Sequence, residues 1–532
     1  MPEPDRLKIL RNVLWALILL MAGGILANLM NRRAERQTML ESGHGWDKVK
    51  LVLEQIEQNY VDSIDYDKVT EDILPLILRE LDPHSVYLPP KSLEEANAEL
   101  EGNFDGIGVT FNVPEDTAII INVIAGGPSE RAGLISGDRI ISVDGRVVAG
   151  VKINQDSLVG MLKGVSGTTV HLGIMRDREM VEFDVIRDKI PVKSIDVAYM
   201  IDDTTGYMKL SKFTRTSYAE FSTALPPMLE AGMTRLIFDL RDNTGGYLDQ
   251  AMLLSNEFLP EGSLIVYMEG AHRPRQNFYA DGSGKCLDVQ LSVLVNEGSA
   301  SSSEIFAGAM QDNDLAVIYG RRTYGKGMVQ EPIFFTDNSG IRLTVARFYT
   351  ATGRCIQKPY VPGDDLGYVY DIYERYEHGE MTSADSIVRN DSLRYVTPKG
   401  KVVYGGGGII PDVFVPVDTV GVTDLLVRIN RQALAVKYSS EVADMYRRQL
   451  RGVDNLDELN VLLDSMNLEE GFLSYLSRCG VSVDSRQWAV SGDIVLIQLR
   501  ALIGRYSPLD DRAFYPIIAA IDNVIQAALT KV

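Results

Sequence analysis

Three short apolar runs constrain this chain more than anything else in it. Leu236–Leu240 (LIFDL), Leu291–Val295 (LSVLV) and Leu315–Tyr319 (LAVIY) are too short for helices and almost free of charge. Each is followed by a Gly-containing turn, and the first two by a helical segment. A strand that is apolar on both faces must be covered on both, which is how a mostly parallel sheet lies between helices. Residues 191–420 are therefore read as an α/β layer. A chain of 532 residues with 45% hydrophobic and 24% charged residues can bury several such cores, and at about 150 residues per domain it divides into three or four. Its net charge of −20 argues against general binding to a phosphate backbone.

The beginning departs from that acidic balance. The first 36 residues hold six Lys/Arg against three acids and bracket Val13–Met30, an 18-residue run without a charge. That length is just enough to cross a bilayer. Ala22-Gly23-Gly24 could serve as a signal cleavage site, but the apolar run continues past it, which favours an uncleaved anchor over a cleaved signal. Either reading sends the rest of the chain across a membrane. Basic residues on both flanks give only a weak orientation signal.

Between the anchor (1–36) and the α/β layer lie two further regions. Residues 37–100 read as helical, with Val49, Leu51, Val52, Leu53, Ile56 and Tyr60 near helical spacing. A second helix is expected over Ile73–Leu81, with Pro75 in its first turn and Asp82-Pro83 as its stop. Residues 101–190 change character: Val109–Phe111, Ala118–Val123, Arg139–Val143, Thr169–Met175 and Glu182–Ile186 are β-type runs between Gly-rich turns, with one helical stretch at Gln155–Leu162. Residues 421–532 read as mostly helical and carry no obvious motif.

Few residues offer metal or redox chemistry. Cys286, Cys355 and Cys479 are odd in number and widely spaced, so they make no disulfide framework. His44, His84, His171, His272 and His378 are isolated, and neither HExxH nor CxxC occurs. No metal and no cofactor is expected. Gly320–Lys326 matches G-x4-G-K, but Gly327 stands where a phosphate-binding loop needs Ser or Thr, and Met328-Val329-Gln330 reads as a strand where that loop needs a helix.

The most informative stretch is 291–330. A strand ends at Val295, a Gly/Ser turn follows, and a helix starts near Ser302 or Ser303. Serine is a common helix N-cap. The same junction suits a nucleophile, because free N–H groups and a partial positive charge face a developing oxyanion there. No histidine lies in the segment. Lys326, between Gly325 and Gly327, could act as base if burial lowers its pKa from about 10.4 toward 7–8.

These residues resemble known families. Phe104-Asp105-Gly106-Ile107-Gly108-Val109, with GGPSERAGL (126–134) and GDRIISVDG (137–145), resembles a PDZ domain. That implies peptide C-termini as ligands, gripped at Gly106, Ile107, Gly108 and Val109. Ser299–Ile305, Gly325-Lys326-Gly327 and Val329-Gln330 together resemble the carboxyl-terminal processing proteases (tail-specific proteases, peptidase family S41), and FDLRDNTGGYL (238–248) resembles a second motif of that family. Smaller matches are LDPHS (81–85), GYMKL (206–210), GRCIQ (353–357) and GGIIPD (407–412). The variants LDPHSVY, GRCIQKPY and YGGGGIIPD look most like members from Bacteroidota.

The resemblance implies Ser301 as nucleophile, Lys326 as general base and Gln330 as the residue orienting the lysine. It implies an oxyanion hole from Gly245 or Gly246 with the Ser302 N–H. Ser302 departs from the family's usual Ala, and only its backbone is expected to matter. His84 is read as a structural turn residue. The expectation is a multidomain α/β protein: membrane anchor 1–36, helical region 37–100, PDZ module 101–190, S41-type serine protease core 191–420 and helical extension 421–532. The function it implies is an envelope-anchored endopeptidase acting at C-terminal tails of proteins, single-pass in a bacterial inner membrane with its catalytic part in the periplasm. The extension is open to self-assembly or to an adaptor, and no nucleic-acid partner is expected. The alternative is a non-catalytic relative of the same fold, a ligand-binding or PDZ scaffold protein, which the presence of both Ser301 and Lys326 disfavours.

Overall fold

A computed structural model describes residues 3–41, 45–113 and 116–530, and His44 lies outside the described residues. The chain divides after Leu76 into two units. In the first, one helix spans Glu3–Glu41 and contains Lys8–Met30, 23 residues long and apolar enough to cross a membrane. At 1.5 Å per residue that stretch is about 35 Å long. It is compatible with a membrane anchor or a signal sequence. A second helix, Gly45–Asn59, keeps Val49, Val52 and Leu53 exposed.

The next helix differs from expectation. It spans Tyr66–Arg79, so Pro75 lies in its interior and not in its first turn. The helix starts early because the Asp65 carboxylate accepts the Lys68 N–H at 3.1 Å, an N-terminal cap that hydrophobic spacing alone does not reveal.

In the second unit, residues 103–191 form the β module. Strands Val109–Asn112, Ala118–Val123, Arg139–Val143, Thr169–Arg176 and Glu179–Ile186 pair in that order as an antiparallel sheet, with Arg146–Val147 on Arg139–Val143. Leu158 and Leu162 of helix Gln155–Leu162 close the core against Ile120, Ile140, Leu172 and Val185. Strand Val109–Asn112 is the edge of this sheet.

The main sheet has six strands. Ile195–Met200 pairs antiparallel with Thr205–Leu210. Arg235–Asp239, Gln290–Val295, Ala316–Gly320 and Val413–Phe414 then follow in parallel. Each strand alternates between two cores. Leu236 and Phe238 face the crossover helices Ser217–Glu230, Leu248–Asn256 and Ser302–Asp312, where Phe221, Phe238, Phe258 and Phe306 stack edge-on or tilted at centroid distances of 5.1 to 6.2 Å. Ile237 and Leu294 face the other way, onto Val524, Ile525 and Ala528. The second face is thus covered by the end of the chain. A second sheet, built on Gly340–Tyr349 with Met328–Phe334, Val86–Leu88 and Leu264–Gly270, carries the residues that follow Lys326.

Residues 424–504 form a helical bundle around Phe472, Leu476, Val495 and Leu499. It meets the β module through polar contacts. Arg139 pairs with Asp444, Arg447 donates to the Gly137 carbonyl at 3.0 Å and Arg451 to the Ser136 carbonyl at 2.9 Å. Just past the bundle, Asp510 accepts from Asn122 of the β module at 2.7 Å. The bundle and the helices after it thereby tie the β module to the main sheet.

Truncating a side chain where the last helix meets the sheet should show as lost stability. Ile525→Ala leaves a cavity against Ile237 and Leu294 and is expected to cost roughly 2–5 kcal/mol. A urea unfolding midpoint lower than that of the parent checks this, and an unchanged midpoint contradicts the packing.

Candidate active site

The turn after strand Gln290–Val295 is built by side chains. Asn296 Oδ1 accepts the N–H groups of Asp242 (2.9 Å) and Gly298 (3.1 Å), and Ser299 Oγ donates to the Leu240 carbonyl at 2.8 Å. The turns after two neighbouring strands are thereby stitched together. Ser301 ends this turn at φ 56°, ψ −113°, a conformation a non-glycine residue holds only when its surroundings impose it. It is half-buried, immediately before helix Ser302–Asp312.

Glu304, in the first turn of that helix, imposes the conformation. Its carboxylate is fully buried and accepts four donors: Ser301 N–H (2.9 Å), Gly325 N–H (2.8 Å), Lys326 N–H (2.9 Å) and the Thr323 hydroxyl (2.5 Å). One side chain therefore fixes the backbone at Ser301 and at Lys326. Burial pushes the Glu304 carboxyl up to about 7, against the downward pull of those donors.

The DLRDNTGG turn lies against the same point. A Cβ on Gly245 would sit 2.7 Å from Ser301 Cβ and 2.9 Å from Ser302 N, so only glycine fits there. Gly246 is equally constrained, at 2.0 Å from the Phe213 carbonyl. The Gly245 N–H is already taken by Asn243 Oδ1 at 2.9 Å. The N–H groups of Gly246 and Ser302 have no hydrogen-bond partner among the described residues, and the Ser302 hydroxyl donates to the Gly246 carbonyl at 2.9 Å. Asn243 anchors this turn, donating to the Leu210 carbonyl (2.8 Å) and accepting Ala300 N–H (3.0 Å) and Ser303 Oγ–H (2.8 Å) on its own carbonyl. Upstream, Asp239 is fully buried. Burial pushes it up, but Arg241 and Lys209 outweigh that and hold it down at about 2.

Lys326 follows Gly325, whose φ of 89° bends the chain around Glu304. Burial lowers the Lys326 pKa, and the nearby Arg342 cation lowers it further, against the opposite pull of Glu304 and Asp82. The ammonium nitrogen donates to Gln330 Oε1 at 3.1 Å and makes no hydrogen bond to the Ser301 hydroxyl. Ser301, Lys326, Gln330, Gly245, Gly246 and Ser302 are thus gathered at one place, with the serine–lysine contact itself still open.

The β module holds a second candidate site. Gly108 has φ 73°, and Gly106, Ile107 and Gly108 are buried. The carbonyls of Ile107 and Gly108 accept Ser129 N–H (3.1 Å) and Ile124 N–H (3.0 Å). The N–H groups of Ile107 and Gly108 have no partner among the described residues, just ahead of the edge strand that Val109 begins.

Comparison with known proteins follows the same division. Residues 204–365 match Peptidase family S41, and residues 106–186 match the PDZ domain. A carboxy-terminal processing protease, CtpA, of Bacillus subtilis is 31% identical over 315 residues, covering 59% of this chain and 67% of that protein. The chain belongs to peptidase family S41. A probable CtpA-like serine protease of Staphylococcus haemolyticus is 32% identical over 311 residues, 58% of this chain, and the match spans 62% of the relative's length. A photosystem II D1 C-terminal processing protease structure aligns with 72% of this chain and 90% of its own, at 23% identity and a TM-score of 0.37.

Within this S41 chain, three contributors escape motif reading. Glu304 falls inside the serine motif, yet its role as a four-donor acceptor depends on a loop some twenty residues downstream. Asn243 falls inside the DLRDNTGG motif, yet its anchoring role depends on Leu210, Ala300 and Ser303. His84, read as a turn residue, does lie in a turn, one that Asp82 caps by accepting the His84 N–H on Oδ1 at 2.9 Å. Its carbonyl also accepts from the Gln330 amide, a contact across 246 positions that no local pattern signals.

Glu304→Ala strands four buried donors without an acceptor. The expected loss is roughly 3–5 kcal/mol of stability. A lowered thermal midpoint of the purified variant measures it, and a midpoint within a degree of the parent would show that the carboxylate does not hold the two loops.

Proposed function

We propose that this chain is an envelope-anchored serine endopeptidase that cleaves proteins at or near their C-terminal tails through a Ser301–Lys326 dyad. The observation that carries the reading is the shared Glu304 carboxylate, which locks the backbones of serine and lysine into one unit beside two unpartnered N–H groups. A non-catalytic relative would have no need of a partly buried lysine with a lowered pKa beside a strained serine.

The chemistry proceeds in two halves. Neutral Lys326 removes the Ser301 hydroxyl proton as Oγ attacks the peptide carbonyl. Gln330 Oε1 binds one Nζ–H, which leaves the nitrogen lone pair free to face the serine. Gly246 and Ser302 N–H groups receive the oxyanion, and Gly245 contributes by having no side chain in the way. The lysine proton passes to the departing amine, and an acyl-enzyme remains. Lys326, neutral again, then takes a proton from water as its oxygen attacks the ester, and returns that proton to Ser301 Oγ as the acyl bond breaks and the acid product leaves. The open serine–lysine contact closes when substrate seats, since catalytic hydrogen bonds often tighten only in the complex.

The PDZ module supplies substrate. Ile107 and Gly108 N–H groups receive a terminal carboxylate, and the tail adds to the free edge at Val109–Asn112. Lys8–Met30 anchors the chain in a bacterial inner membrane, with the catalytic part in the periplasm. In the purified full-length protein, Ser301→Ala and Lys326→Ala are each expected to lower cleavage of a tailed, unfolded reporter by at least about 10³-fold while leaving the melting curve unchanged. Retained cleavage by Ser301→Ala sinks the assignment.

The pH dependence has a definite sign. Only neutral Lys326 is a base, so kcat/KM rises with pH and reaches its midpoint below the ordinary lysine value of 10.5. Arg342→Gln removes a repelling cation, which favours the protonated amine and moves that midpoint upward. The variant is expected to lose activity at neutral pH and regain it at alkaline pH. A profile that stays put or moves down contradicts the role of Arg342.

A further inference from the structure

Lys326 is surrounded by a closed circuit of hydrogen bonds that extends well beyond Gln330. The Gln330 amide N–H₂ donates to the His84 carbonyl, which leaves its Oε1 facing Lys326 Nζ at 3.1 Å. His84 Nε2 lies 2.9 Å from the Tyr368 hydroxyl, with the two rings edge to face at 5.1 Å. Gln357 Nε2 donates to the same hydroxyl at 3.1 Å, and Gln357 Oε1 accepts the Gly327 N–H at 2.8 Å. Gly327 is the next residue after Lys326, so the circuit returns to its starting point.

Gln357 donates to the Tyr368 oxygen, and the Tyr368 hydroxyl shares a hydrogen bond with His84 Nε2 whose donor is set by the imidazole tautomer. Burial, and next the Lys326 cation, lower the His84 pKa to about 4, which agrees with a neutral ring beside the lysine. Tyr368 itself is 5% exposed and held by its carbonyl, which accepts from the buried Lys358 at 2.9 Å. It stands on helix Asp365–Glu377, beyond the residues that match Peptidase family S41.

We propose that His84 and Tyr368 are positioning residues for the proteolytic reaction: the Tyr368 hydroxyl pins the His84 ring, and the His84 carbonyl so held turns Gln330 to aim Lys326 at Ser301. This rests on the dyad reading given above. The helix 365–377 is then part of the catalytic scaffold and not a surface appendage.

Tyr368→Phe removes one oxygen and keeps the ring. The expected result in the full-length enzyme is a fall in kcat of roughly 10- to 100-fold with KM unchanged, as for a small misplacement of a reacting group. His84→Ala should do the same, and His84→Gln, whose amide can still meet the Tyr368 hydroxyl, should restore most of the rate. In a Gln330→Ala background neither Tyr368→Phe nor His84→Ala should lower kcat further. Equal losses in both backgrounds, or full activity of Tyr368→Phe, overturn the proposal in a parent that cleaves while its Ser301→Ala variant does not. A crystal structure of Tyr368→Phe decides independently of activity. Gln330 turned away from Lys326 supports the proposal, and Gln330 unmoved on both Lys326 and the His84 carbonyl overturns it. Should the parent fail to cleave, the dyad reading falls, and the crystal structure alone decides the positioning claim.

Discussion

The Glu304 carboxylate is the interaction on which the site depends. Placing an ionised carboxylate in a dry interior costs several kcal/mol unless donors surround it. Here four donors do so, one from Ser301 and three from the 323–326 loop. The helix N-terminus beneath it adds a favourable field. The arrangement resembles the reciprocal half of a capping box, in which an acid three residues into a helix accepts the N–H of the capping residue. What is unusual is that the same carboxylate also gathers the loop carrying Lys326. The strained backbone of Ser301 is affordable because this acceptor over-determines it.

Behind the site, the sheet needs two covers, and one of them is the end of the chain. Tyr207, Ile237, Leu294 and Tyr319 would face water without Val524, Ile525 and Ala528. Arg241 links this cover to the site. It pairs with buried Asp239 at 2.6 Å on one side and with Asp522, from the terminal segment, at 2.9 Å on the other. The turn that carries Asn243, Gly245 and Gly246 starts at Arg241. The terminal helices therefore reach the Asn243–Gly246 turn through a charged chain of two links, while the bundle before them grips the PDZ module. The two functional modules are joined through a region that carries no motif of its own.

Much of this was legible in the residues, for identifiable reasons. The runs at 236–240, 291–295 and 315–319 form strands because short, almost charge-free apolar runs between turns are buried on two sides in a parallel sheet. The β runs of 109–186 alternate or cluster strongly enough to place the helix 155–162 and every described strand except Arg146–Val147 within a few residues. Ser301 and Lys326 were singled out by family resemblance, and both of their backbone N–H groups meet the one carboxylate of Glu304. Pro75 was misplaced because helix starts are set by caps such as Asp65, not by apolar period. Resemblance left Gly245 and Gly246 as alternatives for the oxyanion donor. Asn243 Oδ1 occupies the Gly245 N–H, a side-chain contact that no motif spacing reveals.

Contacts of long sequence separation are where reading from residues fails. Gln330 meets His84 only because strand Gly340–Tyr349 pairs with Val86–Leu88 on one edge and with Met328–Phe334 on the other. Strand pairing brings residues 84 and 330 to neighbouring positions, and a turn then aims the His84 carbonyl between them. Asp82 makes that turn, accepting the His84 and Ser85 N–H groups at 2.9 and 3.0 Å and the Ser85 hydroxyl at 2.6 Å. The LDPHS segment is therefore both things at once. It is a turn held by its own aspartate, and it is the surface against which the lysine's partner is set.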